Sequence, residues 1–318
     1  INLINGDDFS NTVWAANPET GKDAESYYMK FEDYDFHRAM WKAWKAQDKR
    51  FVYTLAGEEK KIYDEYLYSE TEFKRFPKHV QEANKALPQY VAGFTFFKYS
   101  GLQTVSVNEI TEAELEILER FGKVFEQAYV RFLDLQKAEA QAREGQIQLA
   151  MERVRARTMA MQQSNELPEA ANLLFQQVQA LGMPAWSAGY CTWDDDHQAI
   201  TLWMSSAGII QKPFRAPVTE DPSFIHFYDA WKRGETFYVE SVGGEEIVSH
   251  YKYMCQLPVV GEMLNKFVAD GGSLPAFQIF HLVFFSKGFL LFITYEPVPE
   301  SHEIFKRFGK VFDQTYTR

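Results

Sequence analysis

The sequence predicts an α+β protein: two domains, each an antiparallel sheet flanked by helices, joined by a long connecting helix. Three observations predict it. The stretch FGKVFEQAYVR, Phe121 to Arg131, has a near copy in FGKVFDQTYTR, Phe308 to Arg318. Between them, from Ala113 to Leu167, the chain lacks proline and is rich in good helix formers. Ahead of each copy, two apolar runs flank a short turn, the pattern of paired strands.

The repeat is taken first because it sets the domain organisation. Phe308 minus Phe121 is an offset of 187 residues, and the same offset carries Ala43-Trp44-Lys45 onto Ala230-Trp231-Lys232. It carries Gly57-Glu58-Glu59 onto Gly244-Glu245-Glu246, Leu87-Pro88 onto Leu274-Pro275, and Gly101 onto Gly288. Residues 43–131 thus lie on 230–318 without a gap, with 24 of 89 positions identical. Separated anchors in one register mark a duplication.

Each copy reads as a helix around Ala-Trp-Lys, a short strand (RFVYTL or TFYVES), and helical segments opening at Gly-Glu-Glu. A strand pair follows, QYVAGFTFFKYS-GLQTVSV in the first copy and AFQIFHLVFFSK-GFLLFITY in the second, and then a terminal helix from near Thr111 or Pro299. The second pair is almost wholly apolar, which suggests central strands covered by helices. Upstream, Trp186 to Ser206 reads as a hairpin turning at Asp194-Asp195-Asp196, and the first copy has Asp7-Asp8 in that place. At this offset Ile1 falls on Ala188, inside that hairpin. The first domain, residues 1–131, is therefore expected to be entered part-way through. With no initiator Met and no signal peptide, Ile1 reads as a cut inside a longer protein. The second domain is expected over 165–318.

Residues 132–164 are expected to form the helical connector, and a helix unbroken to Leu167 would run ~80 Å. Phe121, Val124, Phe125, Ala128, Tyr129 and Phe132 recur at three- and four-residue steps, an apolar face for the preceding domain. Further on, Ile147, Met151, Val154, Thr158 and Met161 step by four and three, the spacing of a two-stranded seam. That seam reads as a homodimer contact; the alternative is a helix that only caps its own domain. A fresh helix begins near Asn165 to Pro168, with Leu167, Ala171, Leu174, Val178 and Leu181 on one face and Gly182 and Pro184 ending it.

Composition narrows the function classes. At 318 residues, two cores are the natural expectation. A net charge of −11 leaves little basic surface for phosphate neutralisation, so no nucleic-acid partner is expected. Two cysteines, Cys191 and Cys255, argue against a disulfide framework and for a reducing, cytoplasmic setting. The longest apolar stretch, Phe277 to Tyr295, is broken at Ser286-Lys287-Gly288, which reads as a hairpin and not a membrane span.

The run from Phe121 to Gly182, with its Glu/Gln/Ala/Arg-rich middle AEAQAREGQIQLAMERVRARTMAMQQSNELPEA, resembles the inter-domain segment of sensor histidine kinases from Bacteroidetes-type bacteria. In those proteins GAF-like domains stand in tandem before a kinase core. The flanking residues are similar to the GAF pattern in strand and helix order. The resemblance implies two-component signal transduction, an antiparallel sheet with helices on its faces, and a pocket between sheet and covering helices. It also implies parallel homodimerisation through the connectors and a downstream kinase domain as partner. The chain departs from the family in having no phosphoacceptor histidine box, asparagine box or glycine-rich ATP lid, so no kinase chemistry is expected in it. Cys191 and Cys255 are not followed by His as in bilin-attaching GAF domains, and Asn265-Lys266-Phe267 with Asp270 matches the cyclic-nucleotide signature only loosely. The resemblance names no cofactor, so the cofactor is unknown.

Candidate chemistry is sparse. The seven histidines show no metal-ligand spacing and there is no Cys-x-x-Cys, so no metal site is expected; Asp194-Asp195-Asp196 reads as a solvated turn. His281 sits in the most apolar strand as either a core ring or a pocket donor, and its repeat counterpart at this offset, Phe94, favours core. Cys191 and Cys255 read as buried thiols, and a Cys–His couple would need Cys255 beside His250 or His281. The candidate ligand-binding residues are Trp203, Phe224, Phe227, Trp231, Tyr238, Tyr251, Cys255 and His281. In the first copy they are Trp14, Trp41, Trp44, Phe51, Tyr63 and Tyr66. Aromatic walls suit a planar ligand, and they equally suit plain core packing. The expected function is a non-catalytic sensory or regulatory region. The alternatives are a redox enzyme of GAF fold using a cysteine, and a purely structural spacer.

Overall fold

The computed structural model describes residues 1–15, 25–161, 166–206 and 209–316. The chain divides into two units, Ile1–Ala138 and Glu139–Arg318.

In the first unit, β1 (Asn2–Asn5), β2 (Ser10–Ala15) and β3 (Glu25–Lys30) form a meander. Then come α1 (Asp35–Lys45), β4 (Phe51–Ala56), α2 (Gly57–Ser69), α3 (Lys78–Ala86), β5 (Gln89–Phe96), β6 (Ser100–Ser106) and α4 (Glu112–Ala160). The sheet order is β3-β2-β1-β6-β5-β4, antiparallel throughout. The second unit has α5 (Leu167–Ala180), β7 (Ala185–Trp193), β8 (Ala199–Ser206), β9 (Ile209–Ile210), β10 (Phe214–Pro217) and α6 (Pro222–Lys232). It continues with β11 (Phe237–Gly243), α7 (Gly244–Met254), α8 (Val260–Ala269), β12 (Phe277–Phe285), β13 (Gly288–Thr294) and α9 (His302–Tyr316). Its sheet runs β10-β8-β7-β13-β12-β11, with β9 on β8. Strand for strand, this is the order of the first sheet.

The repeated residues explain the repeated path. Strand β4 passes into α2, and β11 into α7, with no intervening loop; the first helical residue is Gly57 or Gly244, at φ of 57° and 58°. That left-handed conformation is costly for a residue with a Cβ, and glycine stands at both places. The apolar run from Phe277 is a hairpin turning at Ser286-Lys287, as its broken pattern predicts.

The registers disclose a slip that the ungapped offset hides. Val52 lies opposite Gly93 and Val239 opposite His281; the valines are 187 residues apart, whereas Gly93 and His281 are 188 apart. The hairpins agree, since Phe96 pairs with Gly101 and Phe284 with Phe289. The structural counterpart of His281 is therefore Gly93, not Phe94, and Gly288 does not stand in for Gly101. One extra residue separates Leu274-Pro275 from its strand, and a one-residue shift turns every side chain to the other face.

Both faces of the second sheet are covered. Leu290, Phe292, Tyr190 and Val283 face α5, α9 and the latter part of α4, while Leu291, Phe289, Leu202 and Phe280 face α6, α7 and α8. The strands are consequently apolar on both sides, as their near-continuous hydrophobic text suggests. Leu167, Ala171, Leu174, Val178 and Leu181 all lie buried in the first of these layers.

Helix α4 is continuous over 49 residues and contains the boundary between the units. Its two apolar stripes behave otherwise than expected. Leu115, Leu118 and Gly122 turn to the first sheet; of the expected stripe, Phe121, Val124, Ala128 and Phe132 are exposed, while Phe125 and Tyr129 are half-buried, with the Tyr129 ring 6.3 Å from that of Tyr99. The reason is Gly122: the helix lies so close there that a Cβ would come within 2.5 Å of Thr95 and 2.6 Å of Phe97. The bulky residues consequently lie off that line of contact. The expected seam is also used differently. Ile147, Met151 and Val154 are buried in the second unit's own core with Leu174 and Phe308; Thr158 is buried, and Met161 packs against the same core. A pairing of two copies at these positions would have to strip that cover away.

Gly309 repeats the role of Gly122, since a Cβ there would stand 2.3 Å from Cγ1 of Val283, the counterpart of Thr95. We expect Gly309→Ala to cost about 1–3 kcal/mol by overpacking, despite alanine's better helix propensity. Adding Val283→Ala should recover part of that loss. Urea denaturation of the single and double variants measures both.

Candidate functional site

Each sheet leaves a cavity under the helices that follow its outer strands. In the second unit the cavity has a volume of about 520 Å³. Its floor is made by Met204, Phe280, Leu291 and Ile293 from the sheet, and its roof by Met254 of α7 with Met263, Leu264 and Phe267 of α8. Trp186 and Tyr295 stack at one side, with ring centroids 5.6 Å apart and planes 7° from parallel. The walls are apolar because they are the unfilled part of the layer that α6, α7 and the sheet otherwise pack shut.

Few polar groups interrupt them. Tyr251 donates its hydroxyl to Oε1 of Gln278 at 2.8 Å, and burial pushes its pKa well up, so it stays a neutral donor. His250 donates from Nδ1 to Oδ1 of Asp221 at 3.0 Å, and the same carboxylate oxygen caps α6 by accepting the Phe224 N–H at 3.3 Å. That cap fixes the imidazole against the wall. The indole Nε1 of Trp186 is buried and has no acceptor among the described residues.

Of the eight residues singled out from the sequence, Phe224 and Tyr251 line this cavity. Phe227 lies fully buried against Phe280 and Phe289, at ring distances of 5.2 and 5.9 Å. Trp203 is on the other face of the sheet, stacked on Tyr190 at 5.3 Å. Trp231 stacks on His197 at 4.9 Å, beside the acidic turn. Tyr238 packs within the α6–α8 layer without reaching the cavity, and Cys255 caps the end of α7, its carbonyl accepting from Asn265. His281 faces α9, with its ring 5.4 Å from Phe305. The roof residues of α8 carried a signal, since Val260, Leu264 and Phe267 share a helical face. That segment reads otherwise when weighed only against a nucleotide signature.

The first unit has its cavity on the corresponding side, with a volume of about 600 Å³. Trp14 and Tyr63 line it, while Trp41, Trp44, Phe51 and Tyr66 do not. One edge is polar: Tyr68, Asn84 and Tyr90 stand beside a buried ion pair, in which Lys60 donates to Asp64 at 2.5 Å and to the Asn84 carbonyl at 3.0 Å. The Lys60 ammonium also lies 4.2 Å from the centroid of the Tyr90 ring. Lys-x-x-x-Asp on one helix face is the only trace of this pair in the sequence, and a pattern so common on solvated faces does not announce burial. The two cavities thus share a place in the fold and differ in polarity.

The sulfur and acidic groups find ordinary surroundings. Cys191 is fully buried and its thiol pKa is raised by that burial, which removes the thiolate. His250 is bonded to Asp221, not to Cys255. Asp194 accepts from Arg215 at 2.6 Å, and Asp196 accepts the Gln198 N–H, closing the turn. Among the described residues no helix is long and apolar enough to cross a membrane.

No family model matches the chain, and no curated protein matches it. A solved structure described as a GAF domain aligns at 10% identity over 54% of this chain and 88% of its own length, with a TM-score of 0.34. A likeness that slight carries no argument about fold or function.

His281 donates from Nε2 to Thr294 Oγ1 at 3.0 Å, and Thr294 in turn donates to the Glu296 carbonyl at 2.8 Å, which leaves Nδ1 buried without a partner. Burial first, and the neighbouring His302 second, lower the His281 pKa from 6.5 to about 4. The unfolded chain therefore takes up the proton more readily than the folded one. The stability that depends on the neutral ring is complete above pH 6.5 and is lost as pH falls toward 4. Urea midpoints across that window should decline with acidification, and less steeply in His281→Leu.

Proposed function

We propose that the chain is a non-catalytic sensory or regulatory region built of two GAF-like domains, the second binding a small uncharged ligand in its cavity. The observation that carries the reading is the second cavity: drug-sized, apolar, and furnished with a few fixed polar groups, the usual make-up of a small-molecule site. Its polar set suits an uncharged, largely planar molecule with an acceptor for the Trp186 indole. Binding would act on the roof helix α8 and its neighbour α7, and a ligand biases a signalling state only as far as it favours one arrangement over another.

In this reading the output is a kinase domain of the histidine-kinase kind, the partner that the linker resemblance implies. A homodimer belongs to the same reading but is not routed through Ile147, Met151 and Val154, because those side chains already serve the second unit's core. The redox alternative finds little support: one thiol is fully buried with a raised pKa, and the other is not bonded to an imidazole that would activate it.

The test uses N-phenylnaphthylamine, an uncharged fluorophore that brightens in apolar sites. Saturable binding by the chain is expected, weakened at least tenfold in Leu291→Phe, which pushes a ring up from the cavity floor. The same variant should unfold at no lower urea concentration, because it fills space. Equal affinity in both proteins would remove the site, and denaturing mass spectrometry of the purified chain would show any co-purified ligand.

A further inference from the structure

We infer that the outward stripe of α4 in the first unit, Ile117, Phe121, Val124 and Ala128 with Arg120 beside it, is a docking surface for an amphipathic helical hairpin. The hairpin has the chemistry of Glu144–Val154 and α5. The internal repeat supplies the argument. At the offset of 187 these positions correspond to Ile304, Phe308, Val311, Thr315 and Arg307 on α9. There the same face is covered: Phe308 is 0% and Val311 4% exposed, in one cluster with Ile147, Met151 and Val154 of α4 and Leu174 and Val178 of α5. On α4 the counterparts Phe121 and Val124 are 65% and 66% exposed.

Charge points to the same occupant. Arg307 forks onto Glu144, with its two terminal nitrogens at 3.0 and 2.6 Å from the two carboxylate oxygens. Arg120 repeats Arg307 and stands exposed beside Phe121. The matching partner therefore carries a carboxylate three residues ahead of an apolar series at four- and three-residue steps, as Glu144, Ile147, Met151 and Val154 do. Large apolar side chains aligned on one exposed helix face, with a charge at the rim, form a surface that water disfavours.

The experiment titrates the full chain into a fluorescently labelled synthetic peptide of residues 139–183 and reads anisotropy. Saturable binding is expected, weakened at least tenfold by Phe121→Asp. Arg120→Glu should weaken it similarly, and a peptide carrying Glu144→Arg should restore affinity to that variant alone. Phe121 and Arg120 are exposed, so both variants should keep the parent's circular dichroism. Arg307→Glu should leave peptide affinity unchanged. The proposal is overturned if no peptide binds, if binding follows Arg307 in place of Arg120, or if Phe121→Asp has no effect. It is overturned equally if sedimentation shows the chain self-associating through Phe121, which would give the stripe to a second copy.

Discussion

An antiparallel sheet whose two faces are both apolar has to be covered twice, and most features of this protein follow from how that requirement is met. In the second unit, three helical segments close one face and three close the other. Leu290 and Leu291, neighbours in β13, are consequently buried in opposite layers. Where the covering helices do not fill their side completely, a cavity remains. It lies under α7 and α8, where Met254, Met263, Leu264 and Phe267 form its roof.

Helix and sheet approach closely at Gly122 and Gly309, which gives a physical reason for the glycine in both copies of FGKVF. A glycine in the middle of a helix is unfavourable on its own account by about 1 kcal/mol relative to alanine. Its presence at both places reflects a close approach to Thr95 and to Val283 that leaves no room for a methyl group. The flanking phenylalanines then fall on different surfaces. Phe312 and Phe308 are enclosed because α5 and the end of α4 lie over them, whereas Phe121 on the first helix is uncovered. The same phenylalanine and valine, Phe121 and Val124 against Phe308 and Val311, thus serve one helix as surface and the other as core.

The helical text after Phe132 shows why a heptad is ambiguous. Ile147, Met151 and Val154 have the spacing of a seam between two chains, yet that spacing describes any stripe facing a single neighbour. Here the neighbours are α5 and α9 of the same unit. The cavity residues were partly hidden for a related reason. Phe224 and Tyr251 were visible as aromatics on the expected elements, but Trp186, Tyr295 and Gln278 come together only when β7, β12 and β13 pair.

The linear text was enough for the local periods and the repeat: the strand pair with its turn at Ser286-Lys287, the long helix, the fresh start at Leu167, and the matched anchors. These depend on propensity and on residues near one another, which a one-dimensional string records. Three-dimensional packing was needed for the one-residue slip that places His281 at the Gly93 position, the face of α4 that meets its sheet, and the burial of Lys60 with Asp64. The physical reason is common to all three. Each depends on which surfaces meet, and a side chain's neighbours across a sheet or between helices are set by contacts between residues far apart along the chain.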